Sequence, residues 1–436
     1  MPPKKQPLHV LIVGAGLGGL SCAIATRLSG HRVTVLEQSP SLGEVGAGIQ
    51  IPPNSSKILF SWDLGPALSA AAVHPEAFII RSYRDGSELA RQQMRGYVET
   101  EYGAPYLHIH RGDFHEVLVE KARELGVEIV LNAKVTAIDF EAPAVTIETG
   151  KTFTADLVVA ADGLKSRCRE LFLGRADPPK DTGDLAYRIL VKTEDMKQDP
   201  LLRELTEVPY VNYWIGPDQH AVCYLLRSSN LYNIVLLSPD TLPPSTPIAP
   251  ATPSELHALF STWDPRLTRL LTLSTAATKW RLQNSTELPS WVHASSRFCL
   301  LGDACHATLP YLAQGAAMAV EDGAVLGGLL KGIGRGDGLG EVLRVYEELR
   351  KKRTTRVVRG SSELRGVFHM RDGEKQKERD RRLRGGERGN PMPWKEGRVQ
   401  RWLFGYDAGA EVERAWKEGL EAVYGRREEG GSMSKL

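Results

Sequence analysis

The sequence predicts an α/β protein with a second domain of the α+β class and a helical C-terminal region. Three observations support this. An apolar, β-branched run at residues 8–13 precedes a glycine-rich turn and a helical pattern, as in a strand–turn–helix unit. Alternating segments with aromatic residues occupy residues 184–237, as in an antiparallel sheet. From residue 315 to about 359 the apolar spacing is helical, with a glycine-rich interruption at 332–340.

Length and composition indicate an ordinary globular protein. A chain of 436 residues is long enough for two to three domains. A formal charge of +2 gives no sign of nucleic acid or an anionic membrane as a partner. The five cysteines are scattered and lack CxxC spacing, which argues against a disulfide framework or zinc site and favours a reducing, cytoplasmic compartment. The first apolar run contains glycines and Arg27, unlike a signal peptide or transmembrane segment.

The N-terminal unit has the order strand, turn, helix, strand. The turn is GAGLGG at residues 14–19, the helix covers 17–28, and the second strand covers 32–36 and is followed by Glu37. A glycine-rich turn alone is weak evidence, but these parts in register predict a Rossmann-type dinucleotide-binding domain. The unit alone leaves FAD and NAD both open.

Each glycine of this turn has a separate physical reason. Gly14 permits the tight turn, Gly16 removes a side chain that would block the phosphates, and Gly19 lets the helix pack on the strand. The N–H groups at the helix N-terminus then face the pyrophosphate. Glu37 is placed to accept hydrogen bonds from a ribose diol, which disfavours the 2′-phosphate of NADP.

Two later segments distinguish FAD from NAD. The sequences DLVVAADGLKSRCR (156–169) and LGDACHATLP (301–310) closely resemble the DG and GD motifs of the flavoprotein aromatic hydroxylases. With the N-terminal turn they form the three-part pattern of that family, group A of the flavoprotein monooxygenases, over most of the chain. The resemblance implies non-covalent FAD. It also implies FAD-binding roles for a set of residues: Arg111 on the pyrophosphate side, Asp162, Asp303 on the ribityl hydroxyls, and Gly315 and Ala316 at a helix N-terminus near the flavin.

The details are most similar to the fungal salicylate-hydroxylase-like branch. The similar segments are EVGAGIQIPPN (44–54), which contains Gly48, AQGAAMAVED (313–322) and WLFGYD (402–407). The departure is Leu312, where an arginine or another polar residue is expected, so the polarity of the active site is in question. The branch implies secondary-metabolite biosynthesis or aromatic catabolism.

The family resemblance implies a reaction. Only one Rossmann fingerprint is present, so NAD(P)H is expected as a transient co-substrate that reduces the flavin and leaves. O2 then adds to the flavin, and a C4a-hydroperoxyflavin hydroxylates a phenolic or related aromatic substrate. No metal site is predicted.

The substrate-activating residues are expected on the second domain. A phenolate needs a cation or a base, because the anion activates the ring carbon. The best candidates are Arg188 as the cation and Tyr224 to orient the substrate oxygen, with Tyr213 and His220 as competitors. The plain alternatives are a salt-bridge arginine and a core tyrosine.

The domain prediction is discontinuous. The FAD-binding domain takes residues 1–75, 105–180 and 290–345, the substrate domain 76–104 and 181–289, and the C-terminal helical region 346–436. The basic runs 350–353 and 379–388 are interpreted as solvated helix faces. Rival functions are a flavin-dependent epoxidase, a halogenase or an oxidase on this scaffold, or a flavin-binding interaction protein that uses its basic tail. The sequence does not indicate the oligomeric state.

Overall fold

The computed structural model describes residues 6–43 and 46–420. The segment 44–54, which resembles the salicylate-hydroxylase-like branch, therefore begins outside the described residues, at positions 44 and 45. The strands, in chain order, are β1 (His9–Val13), β2 (Arg32–Leu36), β3 (Gly48–Ile51), β4 (Ala77–Ser82), β5 (Glu88–Gln93), β6 (Leu107–His110), β7 (Glu128–Val130), β8 (Val135–Asp139), β9 (Ala144–Ile147), β10 (Thr152–Thr154), β11 (Leu157–Ala160), β12 (Lys180–Lys192), β13 (Val211–Gly216), β14 (Gln219–Leu226), β15 (Leu231–Pro239), β16 (Ile248–Ala251), β17 (Ala277–Asn284) and β18 (Phe298–Leu300).

Helices pack against the first sheet and form the C-terminal region. In chain order they are α1 (Leu17–Leu28), α2 (Pro53–Ser61), α3 (Gly65–Ala71), α4 (Tyr97–Tyr102), α5 (Arg111–Glu124), α6 (Arg167–Leu173), α7 (Thr193–Lys197), α8 (Pro200–Glu207), α9 (Pro253–Phe260), α10 (Pro265–Leu271), α11 (Asp303–His306), α12 (Gly315–Leu330), α13 (Leu339–Phe368), α14 (Glu374–Arg384), α15 (Gly397–Phe404) and α16 (Ala408–Glu418), with a 3-10 turn at Pro310–Leu312.

The first sheet is parallel and confirms the predicted Rossmann-type unit. Its strand order is β18-β11-β1-β2-β7, and every adjacent pair in it is parallel. The central strand β1 is apolar because it is buried within the core, and Val10 to Ile12 have no exposed surface. The carboxyl ends of β1, β11 and β18 each lead into a glycine-containing turn, so three turns meet at one edge of the sheet.

Helices α1 and α12 pack side by side in the same direction. A methyl group on Gly323 would lie 2.7 Å from the backbone nitrogen of Cys22, and one on Gly327 would lie 2.6 Å from the side chain of Ala25. The residue numbers rise together along both helices, so the helices are parallel. Small residues allow this close approach, and both helix N-termini therefore open at the same end of the sheet.

The second large sheet is mainly antiparallel, as predicted, with the order β16-β17-β12-β15-β14-β13-β4-β5. One pair differs from the expectation, because β4 pairs with β13 in parallel. No short hairpin joins these two strands, so chain connectivity does not impose an antiparallel direction on the pair. The antiparallel strands β4 and β5 are joined by a short hairpin. The segment between β15 and β17 contains the edge strand β16.

The first basic run is not a solvated helix face. Arg350 and Arg353 are buried in α13, at 0% and 6% exposure. Their i, i+3 spacing places both guanidinium groups against α12, where they form ion pairs with Glu321 and Asp322. The interpretation failed because the buried acids that pair with this run lie almost 30 residues earlier in the sequence.

Among the described residues, none of the helices is long and apolar enough to cross a membrane.

Candidate active site

The glycine turn after β1 has the geometry that a pyrophosphate site requires. Gly14 has φ +102°, and a methyl group on it would lie 2.5 Å from the carbonyl oxygen of Ala161. A methyl group on Gly19 would lie 1.9 Å from the carbonyl oxygen of Gly14, so the helix could not pack there. A methyl group on Gly16 would meet nothing within 4 Å. Two glycines thus serve the fold, while Gly16 leaves open space beside the helix N-terminus.

That open space belongs to a cavity of about 360 Å³, a volume typical of small-molecule sites. The two parallel helices α1 and α12 both present their N-terminal residues to it. Fixed positive dipole ends therefore face the cavity from two directions. Its lining includes Gly16, Leu17, Gly18, Gly48, Gln50, Arg111, Gly163, Arg188, Tyr213, His220, Tyr224, Asp303, Pro310, Gly315 and Ala316.

Asp303 and Arg111 supply opposite charges to this cavity. Asp303 is exposed and is the first residue of α11, directly after the turn that ends β18. Arg111 begins α5, and burial lowers its pKa while the charge of Asp303 opposes that shift. The cavity thus contains a carboxylate for hydroxyl groups and a guanidinium for an anion.

Arg188 and Tyr224 project into the same cavity from the second sheet. Arg188 lies with its guanidinium carbon 5.2 Å from the ring centre of Trp280. Burial lowers the pKa of Arg188, and Tyr224 partly opposes this effect. Within residues 6–43 and 46–420, no carboxylate forms an ion pair with Arg188, so the salt-bridge alternative has no support there.

Tyr224 is buried between the two large units of the structure. Its ring centre lies 4.4 Å from that of His108, and a methyl group on Gly48 would approach its hydroxyl oxygen to 2.6 Å. The backbone N–H of Gly48 donates to Asn233 Oδ1 at 2.8 Å. Gly48 is therefore needed for the close approach of β3 to the second sheet. Burial raises the pKa of the Tyr224 hydroxyl, so this group is protonated at neutral pH.

Comparisons with known proteins show the family to which a chain with this cavity belongs. The model of the FAD binding domain family matches residues 7–361. The FAD-dependent monooxygenase OpS4 of Beauveria bassiana (strain ARSEF 2860) is 42% identical over 419 residues, covering 94% of this chain and 98% of that protein. The chain belongs to the FAD-dependent aromatic monooxygenases.

Two further relatives agree with this family. The 3-amino-4-hydroxybenzoate 2-monooxygenase PtmB3 of Streptomyces platensis is 36% identical over 405 residues, which cover 92% of this chain and 96% of that protein. A salicylate hydroxylase solved as a substrate complex superposes with a TM-score of 0.77 at 26% identity, covering 94% of this chain and 98% of that chain. FAD is accordingly the cofactor of this monooxygenase, as the glycine turn and the two later motifs predicted.

The residues of this monooxygenase fit FAD. The open side of Gly16 admits a pyrophosphate, and Asp303 is exposed to the cavity. Gly315 and Ala316 line the cavity at the N-terminus of α12, where backbone N–H groups have no helical acceptor. The predicted positions Gly48 and Arg111 line the same cavity.

The carboxylates of two predicted FAD residues, Glu37 and Asp162, accept hydrogen bonds from the protein itself. Glu37 accepts hydrogen bonds from the N–H groups of Ala15 and Ser39, at 2.8 and 2.9 Å, and so joins the end of β2 to the glycine turn. Asp162 accepts one from Ser166 Oγ at 2.5 Å and one from the N–H of Cys168 at 3.0 Å. Burial raises the pKa of Asp162, and these bonds oppose the shift. Neither residue is part of the cavity lining, both stabilise the turns beside it, and their roles toward FAD stay predictions.

Asp162 and Arg169 do not form an ion pair with each other. Arg169 is 2% exposed and pairs with Asp177. It also donates to the carbonyl oxygens of Ala304 and Thr286. These bonds hold the DG segment to the segment that carries Asp303, which gives Arg169 a structural role.

Leu312 does not reduce the polarity of the cavity. It is 5% exposed and packs against α13, where a methyl group on Gly360 would approach it to 3.4 Å. Its neighbours Pro310 and Tyr311 line the cavity instead. The polar character expected at this position is supplied from the second sheet.

His220 was predicted only as a competitor of Tyr224 for orienting the substrate, but its position in the cavity favours it as a candidate. It lines the cavity, and its Nδ1 lies 2.7 Å from Nε2 of His369. Its ring centre is 5.2 Å from that of Tyr311. Sequence reasoning missed His369, which lies 149 residues from His220 and carries no motif. It could have been found only from the fold, which brings the end of α13 beside β14.

Proposed function

We propose that this monooxygenase consumes NAD(P)H and O2 to hydroxylate a phenolic acid, an aromatic ring that bears both a hydroxyl and an anionic group. The observation that carries the proposal is Arg188. It is a partly buried cation in the cavity that also contains the predicted FAD-binding residues, and the described part of the chain pairs it with no carboxylate. A substrate anion would supply the missing partner.

FAD would be held by the turn at Gly16, by Arg111, by Asp303 and by the N-terminus of α12. When bound, the flavin supplies the redox chemistry that activates O2, and NAD(P)H visits as a transient reductant. The protein residues must then hold the substrate ring, exclude water and manage the phenolic proton.

The second sheet provides these functions. Arg188 binds the substrate anion, and the guanidinium suits a planar carboxylate. Val222, Val235 and Leu237 line the cavity and exclude water from the reacting ring. Tyr224, protonated at neutral pH, donates a hydrogen bond that orients the substrate oxygen.

His220 is suited to accept a hydrogen bond from the phenolic hydroxyl. Its Nε2 has no hydrogen-bond partner among the described residues, and the residue lines the cavity. Burial and the neighbouring His369 lower the pKa of His220 well below its usual value, so the imidazole is neutral before the substrate binds. A neutral imidazole accepts a hydrogen bond from a phenol, and this bond increases the electron density of the ring.

The names of the relatives support a phenolic acid. One is named for 3-amino-4-hydroxybenzoate and another for salicylate. Both compounds combine an aromatic hydroxyl with a carboxylate. The proposal extends this pair of groups to the present chain because its cavity contains a cation and a hydrogen-bond acceptor for the hydroxyl.

The experiment is a matched substrate series. Purified holoprotein is mixed with NADH or NADPH and with salicylate, 3-hydroxybenzoate, 4-hydroxybenzoate or 3-amino-4-hydroxybenzoate, and product mass and peroxide are measured. Benzoate, which lacks the hydroxyl, and phenol, which lacks the carboxylate, are the controls. We expect at least one phenolic acid to gain one oxygen atom, with both controls poorer by tenfold or more. Equal rates with phenol, or peroxide in place of a hydroxylated product throughout the series, contradict the proposal.

A further inference from the structure

A second, smaller cavity lies beside the short helix α11 and shares no lining residue with the flavin cavity. Its walls come from α11, from α13 and from the segment between β17 and β18. Its volume is about 60 Å³. One water needs about 10 to 15 Å³ of such volume, so the cavity has room for about four groups of that size. It can therefore hold a small polyatomic ligand.

Three buried polar atoms of the lining residues have no hydrogen-bond partner in the described part of the chain. They are His306 Nδ1, Trp291 Nε1 and Ser285 Oγ. His306 is 6% exposed and Trp291 is 1% exposed, and their ring centres lie 5.4 Å apart. Buried polar atoms in proteins nearly always have a partner. Three such atoms around one cavity therefore indicate a binding site.

The other hydroxyl and thiol groups of the lining are used within the protein. The Thr355 hydroxyl donates to Glu287 Oε1 at 2.8 Å. The Thr354 hydroxyl and the Cys305 thiol donate to backbone carbonyl oxygens, at 3.2 and 3.3 Å. A ligand in this cavity would accordingly be recognised by the three atoms named above.

Asp322 fixes the position of the proton on His306. Burial raises the pKa of Asp322, but His306 and Arg350 outweigh burial and lower it to about 2. The resulting carboxylate only accepts, so His306 Nε2, at 2.6 Å from Asp322 Oδ2, carries the N–H. In the neutral ring Nδ1 is then an acceptor. Trp291 Nε1 can only donate, and the Ser285 hydroxyl can also donate, so the site combines one acceptor with two donors.

Two lining residues are exposed and charged. Arg359 on α13 places a guanidinium group at the cavity, and Glu287 places a carboxylate there. The Glu287 carboxylate accepts the hydrogen bond from Thr355, whereas a guanidinium group offers donors that suit an oxyanion. Arg359 therefore favours an anion in the cavity, and Glu287 opposes it.

We propose that this cavity binds bicarbonate. The O–H group of bicarbonate donates to His306 Nδ1, and its two other oxygens accept from Trp291 Nε1 and Ser285 Oγ. Its four heavy atoms match the room for about four such groups. Nitrate has the same planar shape and the same charge but no proton, so it leaves His306 Nδ1 without a partner.

Bicarbonate stabilises the FAD site through α11, which begins at Asp303 and ends at His306. Asp322 Oδ2 accepts from His306 Nε2 at 2.6 Å and from the N–H of Gly302 at 3.0 Å. A ligand on Nδ1 fixes the imidazole ring, and the shared carboxylate then fixes the turn that precedes Asp303. FAD is therefore held more tightly when bicarbonate is bound. This effect does not depend on which aromatic compound is the substrate.

The test compares the two anions on holoprotein without an aromatic substrate. Protein in CO2-free buffer at pH 8 and constant ionic strength is titrated calorimetrically with sodium bicarbonate or sodium nitrate. We expect one bicarbonate per chain, bound at least tenfold more tightly than nitrate, because nitrate leaves a buried acceptor unpaired. FAD release after dilution, followed by flavin fluorescence, should be at least threefold slower with saturating bicarbonate and unchanged with nitrate.

Matched variants separate recognition from packing. Trp291→Phe removes the donor and keeps an aromatic ring, and it should weaken bicarbonate binding at least tenfold. Trp394→Phe is its control, because Trp394 is also a buried tryptophan with an unpartnered Nε1 but does not line this cavity. The control should bind bicarbonate within twofold of the wild type. Ser285→Ala, which changes a less buried residue, should weaken binding at least fivefold even if Trp291→Phe does not fold.

The charged residues give opposite predictions. Arg359→Gln should weaken bicarbonate binding about threefold, and Glu287→Gln should strengthen it. Absence of saturable bicarbonate binding, or equal affinity for nitrate, overturns the proposal. Equal losses in Trp291→Phe and Trp394→Phe also overturn it, as does wild-type affinity in Ser285→Ala. FAD release at the same rate with and without bicarbonate overturns the stabilisation of the FAD site.

Discussion

Replacement of Arg188 by methionine separates substrate binding from stability. Methionine keeps the length of the side chain and removes its charge. A charged hydrogen bond to a substrate anion contributes about 1.5 to 3 kcal/mol, and loss of one member of a buried charge pair costs about 2 to 5 kcal/mol. We take about 2 to 4 kcal/mol for this site, because Arg188 is only partly buried. The expected fall in kcat/KM is therefore about 30- to 1000-fold.

The stability of the free protein should change little. Among the described residues, Arg188→Met removes the contact between the guanidinium group and the ring of Trp280, which is worth about 0.5 to 1 kcal/mol. Relief from burying the cation, which lowers the pKa of Arg188, offsets this loss. We expect the free energy of unfolding, measured with urea on the holoprotein, to stay within about 1 kcal/mol of the wild type.

Arg281→Met is the matched control. Arg281 pairs with Asp240 at 2.5 Å and donates to the carbonyl oxygens of Leu242, Pro243 and Pro244. Its loss should lower the urea midpoint and leave the preference for phenolic acids over phenol unchanged. The assay is initial-rate NAD(P)H oxidation with product analysis for both variants. An Arg188→Met protein that keeps this preference, or that unfolds more easily than Arg281→Met, would refute the assignment.

Three further predictions concern the cofactor turn, the contact between the two units and the buried charges. Gly16→Val should fold but bind FAD at least tenfold more weakly, because a side chain there meets only open space in the protein. Gly19→Ala should lower the melting temperature, because its added methyl group would lie 1.9 Å from a backbone atom. FAD fluorescence and melting curves distinguish the two variants, and equal melting temperatures would contradict this prediction. Gly48→Ala should displace Tyr224 and reduce kcat/KM for a phenolic acid at least tenfold, while the variant still binds FAD. Turnover and flavin content measure the two effects. Unchanged turnover would show that the contact between Gly48 and Tyr224 does not matter for catalysis. Asp322 has its pKa lowered to about 2, mainly by His306 and Arg350 against burial. The folded pKa lies below the unfolded value, so about 2 kcal/mol of stability is present above pH 5 and is lost as pH falls toward 2. Urea unfolding from pH 7 to 3 should show this loss in the wild type and a smaller one in Asp322→Asn.

The first parallel sheet could be predicted closely because its signals are local. The run at 8–13, the glycine turn and residues 32–36 each define their own element, and the structure places β1, α1 and β2 within a residue of the prediction. The same holds for the glycine roles, since backbone geometry at Gly14, Gly16 and Gly19 depends on contacts within this one unit and the neighbouring DG turn.

The parts that could not be predicted depend on contacts distant in sequence. Arg350 pairs with Glu321 and Asp322 only because α13 packs on α12. Likewise, β4 joins β13 in parallel, although the paired residues Ser82 and Ile215 lie 133 positions apart in the sequence.

The same limit applies to the cavity. The position of Arg188 relative to the flavin residues depends on how the second sheet meets the first. Local pattern could name Arg188 and Tyr224 as candidates, but not the pairing of His220 with a histidine at the end of α13. The roles of these side chains stay predictions until they are tested.

The central claim is that this chain places activated oxygen onto a phenolic acid held in the cavity between its two large sheets. The most direct measurement is the isotopic mass of the product formed by purified holoprotein with NAD(P)H under ¹⁸O₂. We expect one ¹⁸O atom in the product, with one NAD(P)H consumed for each molecule hydroxylated. Unlabelled product, or NAD(P)H consumption matched entirely by hydrogen peroxide, would contradict the claim.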